Sequence, residues 1–102
     1  MLVGRYTINM IDQQILDKTV PILKRYGVAR ASIFGSFVRG EETPQSDIDL
    51  LIQAPPGMTL IGLGGLCSDL EDALHHTVDV AQYDYIKPSF RETIMKEKID
   101  IL

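Results

Sequence analysis

A small mixed β-sheet flanked by helices, in the α/β class, is what this sequence predicts. Three observations predict it. Apolar residues recur at three- to four-residue steps in some segments and at alternate positions in others. One segment of helical spacing lies between two strand-like runs, which implies a crossover connection and a parallel strand pair. The two earlier strand-like runs are separated by too few residues for such a crossover, so they are expected to be antiparallel neighbours.

Taken in order, Ile8, Ile11, Ile15, Thr19, Ile22, Leu23 and Tyr26 line one face of a first helix. Asn9 suits its N-cap and Gly27 its C′ position. Pro21 falls inside the run, so a kink or a new first turn is expected there. Residues 29–34 read as a short strand, and 35–45 as a turn-rich loop. Residues 48–54 (IDLLIQA) are a β-branched and aliphatic strand, ended by Pro55-Pro56-Gly57. Leu60, Leu63, Leu66, Cys67, Leu70, Ala73 and Leu74 return to helical spacing, with Gly62, Gly64 and Gly65 weakening the first turns. Residues 77–81 (TVDVA) alternate as a strand does. Tyr83 and Tyr85 then line that strand or its end. Pro88 opens a last helix, with Phe90, Ile94 and Met95 expected to face inward. Residues 99–102 are apolar at alternate positions.

At 102 residues and without repeats or a dividing linker, residues 1–102 are expected to form a single domain. Ten Lys and Arg against fourteen Asp and Glu give a net charge of −4. That balance excludes the broad basic footprint of a general nucleic-acid binder, but not a local site for a nucleotide whose charge is met by metal ions. The lone Cys67 excludes an internal disulfide and a Cys-based zinc site, and its spacing among leucines suits core packing. No apolar stretch is long enough to span a bilayer, and the first residues lack a leader pattern, so no membrane association and a cytoplasmic protein are expected.

The chemistry concentrates in Gly35-Ser36-Phe37-Val38-Arg39-Gly40 and Ser46-Asp47-Ile48-Asp49. Asp47 and Asp49 are two residues apart at a strand start, so both side chains lie on one face. Adjacent carboxylates repel unless a cation bridges them. Hard divalent cations such as Mg²⁺ take oxygen ligands and keep positions for water and phosphate. A pair of such ions suits phosphoryl transfer. Gly35 allows close backbone approach to a phosphate, and Ser36 could cap a following helix turn whose N–H groups bind anions. Arg39 fits either a phosphate or a carboxylate of the same loop. Asp79 alternates with Val78 and Val80 and is a candidate third carboxylate, because Asp is depleted in strands. His75 and His76 fall at a helix C-terminus, where the dipole favours positive charge.

The eighteen residues GSFVRGEETPQSDIDLLI resemble the signature of the DNA polymerase beta-like nucleotidyltransferase superfamily. Arg39-Gly40, with Ser46 before the first acid, is similar to the minimal nucleotidyltransferases, the antitoxins of HEPN/MNT toxin–antitoxin systems. The resemblance implies the nucleotidyltransferase fold. It implies that Gly35, Ser36, Arg39 and Ser46 hold a nucleoside triphosphate. Asp47, Asp49 and Asp79 would be the catalytic acids and the ligands of two Mg²⁺ ions. It further implies transfer of AMP from ATP to a tyrosine of a HEPN-domain ribonuclease toxin, with which the chain forms a hetero-oligomer. Two alternatives use the same residues: a catalytically idle antitoxin that neutralises by binding, and a transferase acting on a small molecule. The intact acid set argues against the first. The lack of room for an acceptor-holding domain argues against the second. Leu60, Ile61, Leu63 and Leu66, with Ile99, Ile101 and Leu102, are expected to expose apolar surface for the partner.

Overall fold

The structure is a computed structural model that describes residues 2–3, 6–7, 10–35, 38 and 46–102. A four-stranded sheet, with residues 78–82, 48–53, 30–34 and 99–100 side by side in that order, organises it. Strand β3 (Arg30–Phe34) pairs antiparallel with β4 (Ile48–Gln53), Ala31 opposite Ile52 and Phe34 opposite Asp49. Strand β5 (Val78–Gln82) lies parallel to β4, and β6 (Ile99–Asp100) runs antiparallel to β3. The mixed sheet expected from the connection lengths is therefore present. A separate two-residue pair, β1 (Leu2–Val3) with β2 (Tyr6–Thr7), precedes it. Strands that short carry no readable period, so neither was expected.

Helix α1 (Met10–Arg25) buries Ile15, Thr19, Ile22 and Leu23. It continues through Pro21, so no new helix starts there. Asn9, the expected N-cap, lies outside the described residues. The helix stops at Gly27, whose φ of +82° favours glycine. The Gly27 N–H donates to the Lys24 carbonyl at 3.0 Å and the Val28 N–H to Leu23 at 3.0 Å, a Schellman ending. Helix α2 (Leu60–Leu74) carries the crossover from β4 to β5. Thr59 caps it by accepting from the Gly62 N–H at 3.1 Å, which offsets the glycines of its first turns.

Both helices cover one face of the sheet. Leu23, Ile48, Leu50, Ile52, Leu66 and Leu70 are fully buried between the layers. Each such side chain contributes roughly 1.5–3 kcal/mol by leaving water. Cys67, expected in the core, is only half-buried beside Leu66.

Helix α3 (Pro88–Glu97) starts on Pro88 as expected, but it buries no residue completely. Phe90 is 58% exposed, against the inward orientation expected of it, while Ile94 and Met95 are half-buried. The chain end also departs from expectation. Ile99, Ile101 and Leu102 pack against the core, because the Ala31 N–H donates to the Leu102 carbonyl and the Ile101 N–H to Ala31. Among the described residues, no helix is long and apolar enough to cross a membrane.

Candidate active site

Alternation along β4 sets the site. Ile48 and Leu50 point under the helices, so Asp49 between them points to the opposite face, as does Asp47 just before the strand. On β5, Val78 is buried and Val80 half-buried, which turns Asp79 to that same face. The parallel register pairs Ile48 with Val78 and Asp49 with Asp79. Neighbouring strands lie about 4.8 Å apart, so the two acids are lateral neighbours at one end of the sheet. Asp47 and Asp79 are exposed and Asp49 is half-buried. The backbone thus collects three acids. Among the described residues, no three His, Cys, Asp or Glu side chains converge tightly enough to form a ready-made metal cage. The donor set is all oxygen, and its like charges repel in the absence of a cation. Both properties fit a hard divalent ion.

Gly35 directly follows β3, beside Asp49. Its φ is +80°, where side chains are strained. A Cβ at this position would overlap Asp49 Oδ2 and lie 3.1 Å from its Cγ. The glycine is required twice, once by its backbone and once by the carboxylate against it. Its expected role toward phosphate rested on close approach; the structure adds that the first group to approach is Asp49. The Val38 N–H donates to the Gly35 carbonyl at 3.0 Å, which turns the chain just beyond the strand. Ser36 and Arg39 lie outside the described residues.

Ser46, half-buried, enters the site through its backbone. His76 Nδ1 lies 2.9 Å from the Ser46 carbonyl oxygen, which requires Nδ1 to carry the proton and donate. The Ile48 N–H donates to the Thr77 carbonyl at 2.8 Å, and the Val78 N–H to Glu71 Oε2 at 2.9 Å. The His76 and Thr77 bonds stitch residues 46–48 to 76–77 and hold Asp47 between them. The histidine pair lies at the helix end as expected, His75 forming the C-cap with φ 57°. The contact of His76 with Ser46, thirty residues away, has no local sequence signal. Nor does Glu97, whose Oε1 accepts from the Gly35 N–H at 3.2 Å.

Beyond the acids, the face is built from a polar chain. Ser32, fully buried, hydrogen-bonds to the Tyr83 hydroxyl and donates to Asp100 Oδ1 at 2.5 Å. Lys98 Nζ reaches the same Asp100 oxygen at 2.5 Å. These donors, Lys98 foremost, hold the Asp100 carboxyl below its ordinary pKa. Tyr83 is buried in the 3₁₀ turn after β5, and Tyr85 two residues on is exposed. Leu60 and Ile61, 85% and 88% exposed, begin α2 at the far end of β4 from the acids. The expected apolar surface is present there, whereas Leu63 is half-buried and Leu66 fully buried.

Comparison with known proteins gives a consistent picture. Residues 16–101 match the nucleotidyltransferase domain family. A candidate protein adenylyltransferase of Methanocaldococcus jannaschii is 43% identical over 89 residues, which cover 87% of this chain and 96% of that protein. The solved structure of a candidate minimal nucleotidyltransferase superposes with a TM-score of 0.76 at 29% identity, covering 95% of this chain and 98% of that one. A chain from the complex of the tri-AMPylated Shewanella oneidensis HEPN toxin with its MNT antitoxin superposes with a TM-score of 0.69 at 18% identity, covering 88% and 71%.

Proposed function

This chain belongs to the nucleotidyltransferase domain family, and from that premise we propose that it is an antitoxin that transfers AMP from ATP to a tyrosine hydroxyl of a HEPN ribonuclease toxin. The observation that carries the reading is the pairing of Asp49 with Asp79 across β4 and β5, with Asp47 one step before the strand. Protein adenylyltransferase is also the activity in the description of the Methanocaldococcus relative. Residues 1–102 act in this reading as one catalytic domain.

Asp47 and Asp49 hold the metal–triphosphate, and Asp79 is the third acid, orienting the attacking hydroxyl. Gly35, Ser36, Arg39 and Ser46 supply the triphosphate's cradle. Asp47, Asp49 and Asp79 would hold two Mg²⁺ ions, and the chemistry these would supply is positive charge beside the entering and leaving oxygens. In the transfer, the acceptor oxygen bonds to the α-phosphorus and the bond to the bridging oxygen breaks. Pyrophosphate leaves, and the hydroxyl proton passes to water. In this reading the acceptor brings its own binding surface. The exposed Leu60–Ile61 pair offers apolar area to such a partner. ATP supply places the reaction in the cytoplasm.

The test is intact-mass spectrometry of the partner after incubation with this chain, ATP and Mg²⁺. The expected gain is about 329 Da per transferred AMP, the mass of the nucleotide residue. No gain, with the toxin still neutralised by Asp47→Asn, would establish neutralisation by binding instead.

A further inference from the structure

Resting on the proposed transfer reaction, we infer that Glu97 is a positioning residue of this site, acting through Gly35 on Asp49. The register of the edge strand puts it there. Strand β6 pairs Ser32 with Asp100 and Ile33 with Ile99, and two residues further along that register Glu97 lies across from Gly35. At that point the main chain has left the ladder for α3, so no backbone carbonyl continues the pairing. The Glu97 side chain does so instead, Oε1 accepting from the Gly35 N–H at 3.2 Å.

The contact matters because of what Gly35 must do. The residue is buried, and a buried N–H without a partner is costly. It is also a glycine at φ +80°, free to adopt many other conformations, with the Asp49 carboxylate packed where a Cβ would be. A change in the Gly35 peptide therefore moves the surface that fixes the Asp49 side chain. The carboxylate of Glu97 removes that freedom.

Glu97 is in turn held from behind. Lys98 and Ser32 both bind Asp100 Oδ1, Ser32 also bonds Tyr83, and the Arg30 guanidinium stacks 4.2 Å over the Tyr83 ring. This chain of contacts pins the end of β6 to β3. It gives the polar network on this face a purpose that local stability alone does not require: it sets the register that delivers Glu97 to Gly35.

The test compares Glu97→Ala with Glu97→Gln in the full chain. Gln keeps an Oε1 acceptor and removes only the charge. Two readouts are taken: hydrogen exchange at the Gly35 amide by NMR, and kcat for AMP transfer to the partner. Glu97→Ala is expected to accelerate Gly35 exchange at least tenfold and to lower kcat roughly tenfold, as a misplaced group does. Its melting temperature should fall slightly, because the buried Gly35 N–H loses its acceptor. Glu97→Gln should stay close to the parent in both readouts. Unchanged Gly35 exchange in Glu97→Ala would overturn the inference. So would a Glu97→Gln variant as impaired as Glu97→Ala, which would assign the effect to charge. Tighter ATP binding by Glu97→Ala would also overturn it, since the carboxylate would then be competing with phosphate for the N–H. If the parent chain transfers no AMP, the functional reading fails, and Gly35 exchange still decides whether Glu97 holds that peptide.

Discussion

The two faces of the sheet are built for different tasks. One face lies under α1 and α2, and there Leu23, Ile48, Leu50, Leu66 and Leu70 lose all contact with water. The other carries Asp49, Asp79, the Ser32–Tyr83–Asp100 network and α3, which has no fully buried residue. Leu51, like Ser32, is completely buried on this second face, and it lies outside the main core cluster. The contrast shows the apolar core and the acidic face separated by a single strand thickness. A period of two along β4 is enough to do it, since Ile48 and Asp49 are sequence neighbours that look in opposite directions.

If the separation holds, substitutions on the second face should change rate and leave stability alone. Under the proposed function, in which Asp79 would orient the attacking oxygen, Asp79→Ala should slow transfer roughly 10²- to 10³-fold with ATP binding retained. Single-turnover kinetics and equilibrium nucleotide binding measure the two parts. On the first face the reverse is expected. Leu70→Ala should cost about 2–4 kcal/mol of stability by leaving a cavity, read by urea unfolding, with little change in activity of the folded fraction.

Gly35 joins the two properties, and so gives the sharpest comparison. Gly35→Ala should destabilise by about 1–2 kcal/mol, from backbone strain at positive φ and from overlap with Asp49. In an Asp49→Ala background the overlap is gone and only the strain remains. The double-mutant cycle should therefore show a smaller cost for Gly35→Ala there, and equal costs in both backgrounds would break the proposed contact.

Much of this was legible in the sequence, and the parts that were not share a cause. β4 and β5 were readable because their β-branched alternation is local, and α2 because its leucines recur over four turns. The acid face followed from the same alternation. What escaped was non-local or too short. His76 reaches Ser46 across thirty residues, and Glu97 reaches Gly35 across sixty-two. No spacing rule joins such pairs before the strand register is known. Phe90 was misplaced because helical spacing identifies a stripe without saying whether a partner layer covers it. Ile101 and Leu102 read as a loose end because β6 is only two residues long, and its pairing with β3 depends on tertiary position.

The smallest expected effect lies in the network behind the acids. Lys98 and then Ser32 stabilise the Asp100 carboxylate, so its pKa is lower folded than unfolded. A depressed carboxyl adds stability above its unfolded pKa and loses it as pH falls through the folded value. Asp100→Asn should therefore lower stability slightly near neutrality and flatten the acid end of the stability–pH curve, below about pH 4, where the parent loses that contribution. The shift should be modest, because the Asp100 side chain is 62% exposed.

The separation of the two faces is tested most directly on Asp49→Asn, by measuring AMP transfer and the melting temperature without Mg²⁺ on the same preparation. Asp49 and Asp79 are like charges in register, so removing one relieves repulsion in the metal-free chain. Transfer should fall by about 10³-fold while the melting temperature holds or rises. Full transfer in Asp49→Asn, or a loss of transfer matched by a fall in melting temperature, would contradict that separation.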